Sequence, residues 1–242
     1  MPEVVANAQY NLAKPKSLTM KVVESARRKM FDAFLRETAI QPHETLVDIG
    51  VTSDRSYESS NYVEAWYPHK DKITAVGIDN ADFLETLYPG MRYVNADGRN
   101  LPFEDKAFDV AHSSAVLEHV GSVEQQLQFI RELSRVTRRA IFFTTPDRAF
   151  PIEVHSLLPG LHWLPKKTFR GIISKFGYGF FAKEENLNLL WAHEVRRMVE
   201  QVAPGQGKVW ALRTFGWPSN VLAIIRKNGE ECCRCAHGSN AT

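Results

Sequence analysis

Cysteine is nearly absent from this chain: three occur in 242 residues, at positions 232, 233 and 235. That scarcity excludes a disulfide-stapled scaffold and sets a reducing, cytoplasmic location as the expectation. Long apolar runs are missing as well. None approaches the roughly 20 residues that span a bilayer, so no membrane partner is expected. The opening stretch MPEVVANAQYNLAKPK lacks the charged-then-apolar order of a secretory signal. Charge of one sign is not in excess. Thirty Lys and Arg stand against 28 Asp and Glu, a net charge of +2, which gives no reason to expect nucleic acid as a partner. The short basic clusters at 27–29, 138–139 and 166–167 read as solvated helix faces or ends. No internal repeat is present. No C-x-x-C pair occurs, so Cys232, Cys233, Cys235 and His237 match no trusted zinc pattern and no metal site is expected.

What is present is alternation. Residues 1–40 read as a polar arm, to about residue 15, followed by a helix over 17–38. In that helix Val22, Ala26, Met30, Ala33 and Phe34 recur at helical spacing. Five β-rich runs follow: ETLVDIG (44–50), KITAVGID (72–79), MRYVNAD (91–97), AFDVAHSS (107–114) and RRAIFFTT (138–145). Helical stretches separate several of them. The clearest is 122–137, where Ser122 caps, Gln125 completes a capping box, and Leu127, Ile130 and Leu133 share a face. Strands alternating with helices predict a doubly wound α/β domain with a mostly parallel sheet, spanning 41–228. After Pro146 the pattern changes. Residues 147–205 are too long for a simple connection and read as a helical lid between strands 5 and 6. A strand pair at 208–215 and 220–227 ends the domain, and 229–242 reads as a disordered tail.

In such a sheet, ligands bind beyond the carboxyl ends of the strands, where strand order reverses. Those ends are polar here: Asp48 and Gly50, then Asp79 and Asn80, then Asp97, Gly98 and Arg99, then Ser113 and Ser114. An acid after the second strand can accept hydrogen bonds from both ribose hydroxyls. A glycine after the first lets backbone approach a ligand closely. A polar cluster after the third can meet an adenine edge. The set describes a nucleoside-shaped pocket. The G-x-G-x-x-G fingerprint for a pyrophosphate is absent, because VTSDRS follows Gly50. That argues against a nicotinamide-dependent oxidoreductase and for a nucleoside without phosphate, S-adenosylmethionine.

The segments VDIGVTSD (47–54), AVGIDNAD (75–82), NADGRNLPFEDKAFDVAHSSAVLEHV (95–120) and RELSRVTRRAIFFTTP (131–146) resemble class I S-adenosylmethionine-dependent methyltransferases, in particular the type 11 group. The resemblance covers roughly 44–146. It implies a Rossmann-like sheet of seven strands with the last antiparallel, and S-adenosylmethionine as cofactor. By matching position it implies that Asp48 and Gly50 line the methionine part, Asp79 holds the ribose, Asp97 and Gly98 flank adenine, and Ser113 closes the fourth-strand side. Val51, Thr52 and Asn80 join the expected cofactor contacts. The first loop departs from the group's D-x-G-x-G-x-G, since only Gly50 remains, and SDRSYESSNY (53–62) reads as an insertion.

Methyl transfer requires alignment of acceptor and cofactor, and a base where the acceptor is a hydroxyl. His155, with Glu153 two residues before it, is the first candidate base, and His119 in LEHV is the second. His112 lies inside a strand pattern and reads as structural; His162 follows in the lid. The lid aromatics and EENLNLL (184–190) carry no assigned role. The expected function is methylation of a small-molecule acceptor, on oxygen of a sugar or secondary metabolite. The alternative is a non-catalytic S-adenosylmethionine-binding protein of the same fold, which the altered first loop motivates. Oligomeric state is not readable from the sequence.

Overall fold

The computed structural model describes residues 18–55, 57–153, 155 and 158–227. The expected arm at 1–15, the tail at 229–242 and its Cys232, Cys233, Cys235 and His237 lie outside the described residues. Seven strands form one sheet: β1 (Leu46–Ile49), β2 (Ile73–Gly77), β3 (Arg92–Asn95), β4 (Phe108–Ser114), β5 (Thr137–Pro146), β6 (Gly207–Thr214) and β7 (Trp217–Arg226). Their order is β3-β2-β1-β4-β5-β7-β6, with β7 antiparallel to both neighbours and the pairs among β1 to β5 parallel. All four residues of β1 are buried, as its central place requires. The chain builds outward from β1 through β2 to β3, then crosses to β4. Strand order therefore reverses between β1 and β4, and the crevice beyond their carboxyl ends is where this topology places a ligand.

Helices cover both faces. On one face lie α1 (Leu18–Thr38), α2 (Tyr62–Trp66) and α3 (Phe83–Leu87), with Met30, Phe31 and Phe34 of α1 buried against the sheet. On the other lie α4 (Val123–Val136) and α6 (Ala192–Val202). The capping box of α4 forms as the sequence predicts: Ser122 Oγ accepts from Gln125 N at 3.4 Å, and Gln125 Oε1 accepts from Ser122 N at 2.9 Å. Leu127, Ile130 and Leu133 all point into the core.

The inserted segment is shorter than the sequence suggests. Val195, Met198 and Val199 of α6 are buried in the same core as α4, β5 and β7. So α6 is the crossover helix between β5 and β6, and only 147–191 stands over the strand ends. That segment, with α5 (Lys166–Lys175), has its own small core of Phe169, Ile173, Phe181, Leu187 and Leu189. The expectation of a lid extending to 205 failed because α6 has an amphipathic face that reads alike in either location. Among the described residues, no helix is long and apolar enough to cross a membrane.

Candidate active site

A cleft of about 620 Å³ opens at the reversal of strand order. That volume lies inside the range of roughly 300–1,000 Å³ typical of small-molecule sites. The strand ends supply Gly50, Val51, Thr52, Gly77, Ile78, Asp97, Gly98 and Ser114, and 147–191 supplies His155, Glu185 and Asn186.

Gly50 sets the turn that ends β1. Its φ is +106°, and a Cβ there would lie 2.0 Å from Val116 Cγ2. Its amide and that of Val51 both donate to Val76 O at the end of β2, at 2.7 and 3.1 Å. The next residues lack the glycines of the resembled family, and a side chain holds their shape. Asn61, inside the inserted loop, accepts from Thr52 N at 2.9 Å and donates to Thr52 O at 3.0 Å. Sequence reasoning left this clamp unassigned because its residues are nine apart and belong to no motif. Gly98 is fixed by packing: a Cβ would meet Phe129 at 2.6 Å and Ile49 at 2.9 Å.

The expected cofactor residues divide. Gly50, Val51, Thr52, Asp97 and Gly98 line the cleft. Asp48, Asp79, Asn80 and Ser113 are not among its lining residues. Asp97 forms a two-pronged pair with Arg99, with Nε and Nη2 donating at 3.0 and 2.6 Å. The pair holds the Asp97 carboxyl below the usual carboxylate range, through hydrogen bonding to Arg99 foremost. Asp79 follows Ile78 on the rim of β2. Its Oδ2 is shielded from solvent and accepts no hydrogen bond, and burial raises its pKa. Ile78 itself is 71% exposed and lines the cleft as an apolar surface. Ser113 is buried and donates to Ile49 O at 2.8 Å, so it ties β4 to β1.

Asp48 faces the other side of the sheet. It pairs in register with His112, and Asp48 Oδ1 and His112 Nδ1 lie 2.6 Å apart. The Tyr62 hydroxyl meets His112 Nε2 at 3.0 Å. Burial pushes Asp48 up to about 7 and His112 down to about 4. Strand alternation separates Asp48, which packs beneath α1 and α2, from Ile49, which reaches the cleft; Gly50 lies past the strand end and reaches the cleft through its turn. His112 is structural, as the sequence reading held. Glu64 completes this buried group. It is fully buried, both its carboxylate oxygens lack partners, and burial followed by the charge of Asp48 raises its pKa well above normal.

Glu64 gives a stability prediction. A carboxyl with a raised folded-state pKa contributes fully below its unfolded value, near 4.5, and that contribution is lost as pH rises through the folded value. Glu64→Gln keeps the shape and removes the ionisation. The variant is expected to melt close to the native protein at pH 4 and above it at pH 8. Calorimetric melting at both pH values checks this; equal melting at pH 8 would refute it.

The candidate catalytic residues converge. Glu153 Oε1 accepts from His155 N at 2.8 Å and faces His155 Nδ1 at 2.7 Å. His155 Nε2 and His119 Nε2 are 3.2 Å apart, and His119 Nδ1 faces Asn186 O at 2.7 Å. Burial, and then the neighbouring His155, push His119 down to about 3. Both imidazoles line the cleft, while Glu153 stands behind His155. His162 is elsewhere, buried in the inserted segment with its Nε2 on Phe150 O at 2.8 Å.

The motif EENLNLL acquires two roles in the structure. Asn186 anchors His119, and Asn188 fastens the inserted segment to the domain. Asn188 donates from its backbone to Glu118 O at 2.7 Å and from Nδ2 to Gly121 O at 2.8 Å, and its carbonyl accepts from Gln126 Nε2 at 3.0 Å. Arg99, part of the polar cluster expected after the third strand, lines the cleft, and Arg27 of α1, Val116, Gln125 and Phe129 also line it without having been expected to. Only tertiary packing brings them there.

Comparison with known proteins accords with this geometry. A family described as a methyltransferase domain matches residues 59–143. No curated protein matches the sequence. Among solved structures, a SAM-dependent methyltransferase from Methanosarcina mazei is 16% identical, with 81% of this chain and 98% of that chain covered and a TM-score of 0.53. Magnesium protoporphyrin IX methyltransferase from Synechocystis, with bound SAH, is 12% identical over 90% of this chain and 91% of that chain, at a TM-score of 0.53. A Burkholderia thailandensis 1,6-didemethyltoxoflavin-N1-methyltransferase, with 1,6-didemethyltoxoflavin and S-adenosylhomocysteine bound, is 11% identical over 84% and 79%, at 0.55. The shared architecture is the class I methyltransferase fold.

Proposed function

Because the chain carries a methyltransferase domain on the class I fold, we propose that it is an S-adenosylmethionine-dependent methyltransferase for a small-molecule acceptor, methylating oxygen on a sugar or secondary metabolite. The observation that carries this reading is the cleft at the β1/β4 reversal, lined by Gly50, Ile78, Asp97 and Gly98; Asp79, next to Ile78 in sequence but not on the lining, keeps one carboxylate oxygen without a partner. The residues present fit the cofactor. Asp79 would accept from the ribose hydroxyls, Ile78 offers an apolar face for the adenine ring, and Asp97 offers acceptors at the β3 side. The Gly50 turn leaves room for the amino-acid part. When bound, the cofactor supplies a sulfonium-borne electrophilic methyl group.

The chain's own residues supply the rest. Glu153 would hold the His155 proton on Nδ1, which leaves Nε2, 3.2 Å from His119 Nε2 on the cleft wall, as the acceptor. His155 Nε2 would take the proton of an acceptor hydroxyl as its oxygen attacks. The segment 147–191 covers the strand ends and limits water there. The bound heterocycle in the toxoflavin methyltransferase supports a small acceptor in a site of this architecture.

Calorimetric titration with S-adenosylhomocysteine tests the reading. Micromolar or tighter binding is expected. Asp79→Ala is expected to weaken it at least about tenfold, since a charge-assisted hydrogen bond contributes roughly 1.5–3 kcal/mol. No binding at millimolar ligand would overturn the proposal, and unchanged affinity in folded Asp79→Ala would remove the ribose role. Binding without transfer to any sugar, phenol or carboxylate would favour a non-catalytic binding protein, the reading that the glycine-poor first loop suggests.

A further inference from the structure

We propose that Glu118, His119 and His155 form a site for one divalent transition-metal ion of the zinc type, on the wall of the cleft formed where 147–191 meets the turn after β4. One potential ligand atom from each residue lies within 4.8 Å of the others. No motif links its residues, because His155 is 36 residues from His119.

The argument begins with where the protons are. His155 Nδ1 faces a carboxylate oxygen of Glu153, and His119 Nδ1 faces the backbone carbonyl of Asn186. Both partners are acceptors, so each ring carries its proton on Nδ1. The two Nε2 atoms then turn lone pairs toward each other across 3.2 Å. A positive centre between them, a proton or a metal ion, would draw such a pair together. Glu118 adds a third donor. It is fully buried, its Oε2 accepts from Thr145 Oγ1 at 2.8 Å, and its Oε1 has no hydrogen-bond partner. That unpartnered oxygen lies 3.7 Å from His119 Nε2.

Every residue of the set thus has one atom anchored and one atom converging. This is the arrangement metal-binding side chains adopt, in which a carboxylate or carbonyl fixes the far ring nitrogen and so orients the near one. The spacing fits as well. Zinc–imidazole bonds of about 2.0–2.1 Å in a tetrahedron put ligand atoms roughly 3.3 Å apart. Two histidines and one carboxylate leave coordination positions open, and both imidazoles line the cleft. The open positions would take an oxygen of the acceptor, so the substrate class is one bearing a hydroxyl or carboxylate. That last step rests on the methyltransferase reading; the site itself does not. With an ion bound, His155 Nε2 is a ligand, and in the metal-free protein it is the proton acceptor.

The test uses the full chain with Cys232, Cys233 and Cys235 changed to serine, stripped with chelator and titrated with Zn²⁺ and then Co²⁺. One equivalent is expected to bind with micromolar or tighter affinity, and Co²⁺ to give visible bands without thiolate charge transfer. Glu118→Gln and His119→Gln are each expected to weaken binding about a hundredfold or more. No binding at millimolar Zn²⁺, or binding that neither variant changes, overturns the site and leaves a shared proton between the imidazoles. S-adenosylhomocysteine is titrated into the same samples. Its binding without the metal sinks the metal site alone, and metal binding without it sinks the methyltransferase reading alone. It also reports that each variant has folded.

Discussion

Replacing His155 with asparagine is expected to lower kcat by about a hundredfold to ten-thousandfold, the span general bases commonly contribute. The KM of the acceptor and the affinity for S-adenosylhomocysteine are expected to stay within about threefold. The split follows from position. His155 reaches the cleft from 147–191, whereas the residues suited to the nucleoside sit on β1, β2 and β3. Glu153 carries a second arm of the same prediction. Its Oε1 accepts from both the backbone and the ring of His155, and it is 2% exposed. Glu153→Gln can place its amide nitrogen where Oε1 stood and drive the ring proton to Nε2. A wrong tautomer disables a base whose geometry is intact. So Glu153→Gln is expected to lower kcat, with some loss of melting temperature beside it, because the amide nitrogen would also face the His155 backbone N–H that Oε1 now accepts from. The measurement is steady-state kinetics on whichever hydroxyl acceptor an initial screen returns, with chelator present and absent. Full turnover by His155→Asn would remove it from the reaction. Activity that chelator abolishes would assign His155 as a metal ligand instead of a base.

Much of the domain was legible in the chain, and for reasons that can be named. Seven β-rich runs became seven strands because each is bounded by glycine, proline or a polar cluster, and helical spacing fills several of the gaps. The α4 capping box was legible because it is local, four residues with one geometry. Gly50 was legible as a point of close backbone approach. Less legible was the direction of side chains. Asp48 heads a motif that resemblance assigns to the cofactor, yet its place in β1 turns it toward His112 and away from the cleft. A single position of strand alternation decides that. Asn61, Asn186 and Asn188 were not legible at all. Each acts through hydrogen bonds that join its own backbone or side chain to a group elsewhere in the chain, in the case of Asn186 and Asn188 about 62–67 residues away. The candidate base was found by its place after β5, but its partnership with His119 depends on how 147–191 folds back. No periodicity encodes that.

Gly50→Ala is expected to damage both stability and cofactor affinity, and the damage has two separable causes. The first is conformational. At φ of +106° an L side chain is strained, by roughly 1–3 kcal/mol. The second is steric. The new methyl would lie 2.0 Å from Val116 Cγ2, and overpacking of this kind costs about 1–3 kcal/mol. Together they predict a loss of roughly 2–6 kcal/mol, or about 4–24 °C in melting temperature for a chain of this length. Backbone adjustment at residue 50 also reaches the cleft, because its amide is bonded to the end of β2 and Val51 and Thr52 follow directly on the lining. S-adenosylhomocysteine affinity is therefore expected to fall at least about tenfold, equivalent to roughly 1.4 kcal/mol. The double variant Gly50→Ala with Val116→Ala separates the causes. It removes the contact but leaves the strain, so it is expected to recover part of the melting temperature relative to the single variant. Val116→Ala alone supplies the baseline for the methyls it removes. A Gly50→Ala protein that melts and binds as the native one does would mean the β1 turn tolerates a side chain. The single glycine kept from the family's loop would then have no structural necessity.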